Sequence, residues 1–144
     1  MIRSSMKSRR VVAAAVVAVA VLVACPVYRA AGESAGAEVK PVISEKLPNV
    51  PGKSLTAVVV SYAPGGKSPK HRHAGSVFAF VLSGAIRSEN SMTGPAKVYK
   101  AGEGFFEPAG SEHLVSENAS TTEPASLLAV FVADDGAKLT TFEK

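Results

Sequence analysis

From Ser54 onward, this 144-residue chain is a succession of short apolar stretches separated by turn residues. No part of it carries apolar residues at helical spacing for three turns. That pattern constrains the fold more than any other feature. Short stretches with a period of two bury one face of a strand, whereas a helix needs an apolar position every three to four residues. Residues 55–62, 77–82, 85–88, 97–99, 104–107, 114–116 and 126–132 are predicted strands. Turns are predicted at 64–66, 83–84, 93–95, 101–104, 108–110 and 134–136, where Gly, Pro, Asn, Asp and Ser concentrate. There is no internal repeat, and the expected class is all-β, a sandwich or barrel.

The N-terminal part is different in kind. Residues 1–10 hold Arg3, Lys7, Arg9 and Arg10 with no acidic residue, and the uncharged apolar run 11–24 follows. That run is shorter than the roughly 20 residues a spanning helix needs, so it reads as an export signal rather than a retained anchor. Leu22-Val23-Ala24-Cys25 resembles a bacterial lipobox, which would make Cys25 a lipidation site. Ordinary cleavage further along, for example after Ala35-Gly36-Ala37, is the competing reading. Cys25 is the only cysteine, so no intrachain disulfide can form. The expected organisation is a signal peptide over 1–24, a flexible arm or tether over 25–51 with a short edge strand possible around Val42 and Ile43, and a barrel domain over 52–144. The expected location is the periplasm, or the membrane surface as a lipoprotein.

Removing the leader changes the charge. Subtracting its four basic residues from 16 Lys and Arg leaves 12, equal to the 12 Asp and Glu. A neutral mature domain offers nothing to a nucleic acid, and it meets a membrane only through its signal or lipid.

All three histidines fall in two short segments. His71 and His73 lie two apart, so an extended backbone puts both imidazoles on one side. Arg72 between them points the other way, towards an ion pair or an interface. His113 must be delivered by the fold.

Gly66, the His71-Arg72-His73 pair, position 77 and Gly84 resemble the first of the two cupin motifs. Gly102, Pro108, Gly110, His113 and Asn118 resemble the second. The resemblance covers residues 66–118, most of the mature domain. It implies a small double-stranded β-helix, the jelly-roll barrel of cupins, with the His pair on one strand and His113 on a strand facing it across the mouth. It also implies a divalent transition metal (Fe, Ni, Cu, Zn or Mn) held by His71, His73 and His113, and a small organic ligand or substrate.

Two positions depart from the family. Val77 stands where the family's acidic ligand is expected, and Asn118 comes one residue late. Three neutral imidazoles still suit such an ion and leave positions open. Glu107 occupies a position that is apolar and inward-facing in the family, in step with Phe105. Either it faces the cavity and replaces the missing acid, as a ligand or as a catalytic general acid/base, or the strand is rotated and Glu107 is exposed or paired with a cation such as Arg72.

The remaining candidates are ordinary. Phe78, Phe80, Phe105, Phe106 and Phe131 are expected in the core or in a homodimer interface, and Ser116 and Asn118 in turns. Lys67 and Lys70 are expected as solvated loop charges near the mouth. No Ser-His-Asp arrangement or phosphate-binding loop is present. Two functions remain: a metal-dependent oxygenase or isomerase of a small organic molecule, or a non-catalytic module that binds or senses a small ligand or metal.

Overall fold

The computed structural model describes residues 36–143; the predicted signal and Cys25 lie outside them. Eleven strands follow in order: β1 (Ala37–Lys46), β2 (Lys53–Tyr62), β3 (Lys67–Ser68), β4 (His71–His73), β5 (Ser76–Ser83), β6 (Ala85–Asn90), β7 (Gly94–Lys100), β8 (Gly104–Glu107), β9 (Glu112–Asn118), β10 (Ala125–Asp134) and β11 (Thr140–Phe142). They form two antiparallel sheets, β1-β2-β10-β5-β8 and β11-β4-β9-β6-β7, with β3 paired to β9. The described residues are all-β, and their architecture is the double-stranded β-helix.

All seven predicted strands are present. Six extend beyond the predicted bounds, and β8 coincides with them. Alternation explains their faces. Along β10, Ala125, Leu127, Ala129, Phe131 and Ala133 are buried, and the residues between them are not. Along β5, Val77, Ala79 and Val81 turn inward while Phe78, Phe80 and Leu82 are exposed. All of these inward residues except Ala133 join Tyr62, Ile86 and Phe105 in one core between the sheets. The link from β5 to β6 is a single residue. Gly84 takes a φ of +67°, and a Cβ there would lie 2.6 Å from the Pro124 carbonyl oxygen. Only glycine fits that hinge without strain.

Within the segment expected to be a flexible arm, β1 is an ordered strand of 10 residues along the outer edge of β2. It is longer than the short edge strand the sequence suggested. Its register shifts between Pro41 and Ile43. A proline has no N–H for a ladder, and a bulge on an edge strand accommodates it. Ser116 and Asn118 are not in a turn. Both are buried residues of β9, because the strand runs further than its apolar residues show.

Candidate metal centre

His71 and His73 face inward from β4, both buried, with exposed Arg72 between them, as a period of two requires. Arg72 forms ion pairs with Glu112 and with Glu143, the latter at 3.5 Å, and is therefore unavailable to Glu107. His113 is not opposite the pair. It lies on β9, the hydrogen-bonded neighbour of β4, as the direct register partner of His71. The correction follows from sheet order: β4 and β9 are adjacent, so the three rings share one face of one sheet.

One ligand atom from each histidine lies within 4.8 Å of the others. The rings are held from behind. His71 Nδ1 donates to the Pro69 carbonyl at 2.7 Å, which leaves Nε2 with its lone pair free. His73 Nδ1 contacts the Leu139 carbonyl and the Thr140 hydroxyl, each at 3.2 Å, with the same result. His113 Nε2 meets Ser88 Oγ at 2.9 Å. Its Nδ1 is buried without a hydrogen-bond partner. Fixing the tautomer through the outer nitrogen is how proteins present imidazoles to a metal.

The other sheet supplies the acid. Glu107, 3% exposed, points into the cavity from β8. Its Oε2 lies 3.0 Å from His113 Nδ1 and 3.8 Å from His73 Nε2. Asn90 steadies the same oxygen at 3.4 Å and is itself tied to Ser111 at 2.8 Å. Val77, fully buried where the family's acid was expected, is the register partner of Glu107 on the adjacent strand.

Burial disfavours charge on the imidazoles. It pushes His71 down to about 4 and outweighs the Pro69 carbonyl, which acts in the opposite direction. His73 is also lowered by burial, against the attraction of Glu107. For Glu107, burial acts to raise the carboxyl, but His113 beside it, with His73 and His71, keeps it below the usual range. At neutral pH this gives neutral imidazoles at His71 and His73 beside a carboxylate, the protonation state in which such groups ligate metals.

The donor set fits a divalent transition ion. Three imidazoles and a carboxylate suit Fe, Ni, Cu, Zn or Mn alike. The buried Nδ1 of His113, left without a hydrogen-bond partner, gains one if an ion lies beside it.

These groups line one end of a cavity of about 260 Å³. Most of its remaining wall is apolar, including Val58, Val60, Leu127, Ala129 and Phe131. Tyr62 also lines it, but its hydroxyl is engaged by Ser68 at 2.9 Å and Ser116 at 2.8 Å. Phe105 and Phe131 are both core and cavity wall, while Phe78, Phe80 and Phe106 lie exposed. Thr140 and Phe142 complete the wall from β11. Sequence reading missed these two, and also Ser88 and Asn90. The alternation of β6, with Ile86, Ser88 and Asn90 in phase, was the one available signal that Ser88 and Asn90 face inward.

A double-stranded β-helix with three converging histidines defines the cupin class of barrel. The sequence model for the cupin domain matches residues 58–131, and the chain belongs to the cupin family. Germin-like protein subfamily 2 member 2 of Arabidopsis thaliana is 33% identical over 93 residues, which are 60% of this chain and 41% of that protein. The chain thus spans about two fifths of that relative's length. Among solved structures, an oxalate oxidase in complex with the substrate analogue glycolate superposes with a TM-score of 0.57 at 23% identity, covering 74% of this chain and 55% of that one. A cupin-like protein of Thermotoga maritima does so with a TM-score of 0.58 at 18% identity, covering 76% and 77%. At these identities the structural matches establish a shared fold.

Proposed function

We propose that this cupin binds one divalent transition metal through His71, His73 and His113 and acts on a small, largely apolar organic molecule, as an oxygenase or isomerase. The observation that carries the reading is the convergence of three buried imidazole nitrogens on a largely apolar cavity. When bound, such an ion supplies Lewis acidity and, if redox-active, electron transfer. The protein's part is to hold the ligand rings, to exclude water with an apolar wall, and to place one carboxylate beside the ion. Among the described residues, Glu107 is the only carboxyl group lining the cavity, and it is the catalytic candidate for accepting a substrate proton, through an oxygen the ion leaves free.

The wall also limits the substrate. Among the described residues no Arg or Lys lines the cavity, so a second carboxylate on a substrate would find no counter-charge there. A dianion such as oxalate is therefore a poor fit. A neutral molecule or monoanion with one donor end suits the site better. The volume lies below the roughly 300–1,000 Å³ of drug-sized pockets, so the molecule is small. Export to the periplasm, with or without lipid on Cys25, is proposed on the basic-then-apolar leader.

Elemental analysis of the purified full chain, beside a His71→Ala/His113→Ala variant, tests the metal. About one equivalent in the wild type and none in the variant is expected; equal contents overturn the reading. Screening the loaded protein against small apolar acids, ketones and phenols then separates catalysis from binding. Thermal stabilisation without turnover would replace the enzyme with the non-catalytic binding module.

A further inference from the structure

We infer that the fourth ligand of this centre is Glu107 Oε2, a carboxylate moved from strand β5 to the opposing position on β8. This rests on the metal reading above and deepens it. Val77 and Glu107 are register partners in one antiparallel pair, and both side chains face the cavity. Directly opposed residues on one face have Cβ atoms only about 5 Å apart. A carboxylate from either strand therefore reaches the same region, and the glutamate's length spans the difference.

The local geometry distinguishes a ligand from a hydrogen-bond acceptor. Glu107 Oε2 and His113 Nδ1 are 3.0 Å apart, but not in the alignment of a hydrogen bond, and Nδ1 has no other partner. In the tautomer whose Nε2–H donates to Ser88, Nδ1 carries a lone pair beside a carboxylate oxygen. Two electron-rich atoms at that distance repel unless a cation lies between them. Two ligand atoms bonded at about 2.1 Å to a common ion in octahedral or tetrahedral geometry lie about 2.9–3.4 Å apart. The separation from His113 matches an edge of such a polyhedron, and that from His73 Nε2, 3.8 Å, is somewhat longer than one. Asn90, held by Ser111, aims its amide at the same oxygen and fixes the carboxylate's direction.

Co(II) binding to the metal-free full chain tests this, with affinity read by competition against a chromophoric chelator and geometry by the visible spectrum. Glu107→Gln keeps the side chain's size but gives up the charged oxygen; it is expected to bind Co(II) at least about 10-fold more weakly, with a shifted spectrum. Val77→Glu/Glu107→Val returns the carboxylate to β5 and is expected to regain most of the lost affinity, which also excludes misfolding as the cause. Wild-type affinity and an unchanged spectrum in Glu107→Gln overturn the inference while leaving the three-histidine site standing. If the wild type itself takes up no Co(II), the metal reading fails and this one with it.

Discussion

Burying an imidazole selects its neutral form, and at this site that choice links stability to pH. Free histidine titrates near 6.5, whereas His71 in the fold titrates at about 4. Between those values the unfolded chain binds more protons than the folded one, so acidification favours unfolding. At about 1.36 kcal/mol per unit, His71 alone contributes about 3 kcal/mol that is present above its unfolded pKa and lost as pH falls to its folded one. His73 is shifted the same way and adds to the loss. Glu107, with its carboxyl lowered, contributes stability that disappears only at still lower pH, as it protonates. In excess chelator, the melting temperature of the full chain is therefore expected to fall steeply from about pH 7 to about pH 4.5, and the fall should flatten in His71→Gln. A melting temperature that is constant over that range would contradict the account.

Among the elements, the shortest have the largest leverage on the site. β11 has three residues, yet it pairs with β4 along the whole His71–His73 segment. The Leu139 carbonyl and the Thr140 hydroxyl hold His73 Nδ1, and Phe142 packs 5.6 Å from the His71 ring, centroid to centroid. Ending the chain after Lys138 removes all three. The buried core, which comes from β2, β5, β6, β8 and β10, keeps all its residues and loses only the partly buried Leu139 packed against it. The truncated protein is expected to remain folded but to bind metal about 10- to 100-fold more weakly, the usual consequence of losing the groups that orient a ligand. Circular dichroism and Co(II) titration check the two halves of that statement. This element was invisible in the sequence, because Thr140, Thr141 and Phe142 show too short a pattern for a period to emerge. β1 was only partly legible for a different reason: as an edge strand it is solvated on most of its length and has no need to alternate. The strands that bury one face, β5 and β10 above all, were legible because burial imposes the period. The histidines were legible as a motif, but their sheet neighbourhood was not. Pairing β4 with β9 instead of opposing it depends on long-range register, which local sequence does not encode. The inward turn of Glu107 was open for the same reason, since one residue of strand phase decides it.

At the scale of the whole molecule, the two faces of the β1-β2-β10-β5-β8 sheet are apolar for different reasons. The inner face closes the cavity. The outer face at its β5-β8 end carries Phe78, 49% exposed, and Phe106, 52% exposed, as register partners, with Phe80, Leu82 and Val132 also exposed. Phe78 and Phe80 stack with centroids 6.5 Å apart, which makes a continuous aromatic surface rather than scattered residues. A patch of this kind at the end of a sheet departs from what a monomer's surface ordinarily shows. We propose that a second copy of the chain covers it. A sheet face can meet itself about a two-fold axis, and that closes the contact with no further surface left exposed. Charges stand at its margin, where Lys53 and Asp134 pair at 2.6 Å, as a polar rim around an apolar centre would require. Light scattering on the full chain is expected to give twice the mass of one chain. Phe78→Arg/Phe106→Arg places two cations in that centre and is expected to give the mass of one chain, with metal content unchanged, because both side chains point away from the cavity. A wild-type mass of one chain, or a double variant that stays dimeric, would overturn the proposal that this face pairs two copies.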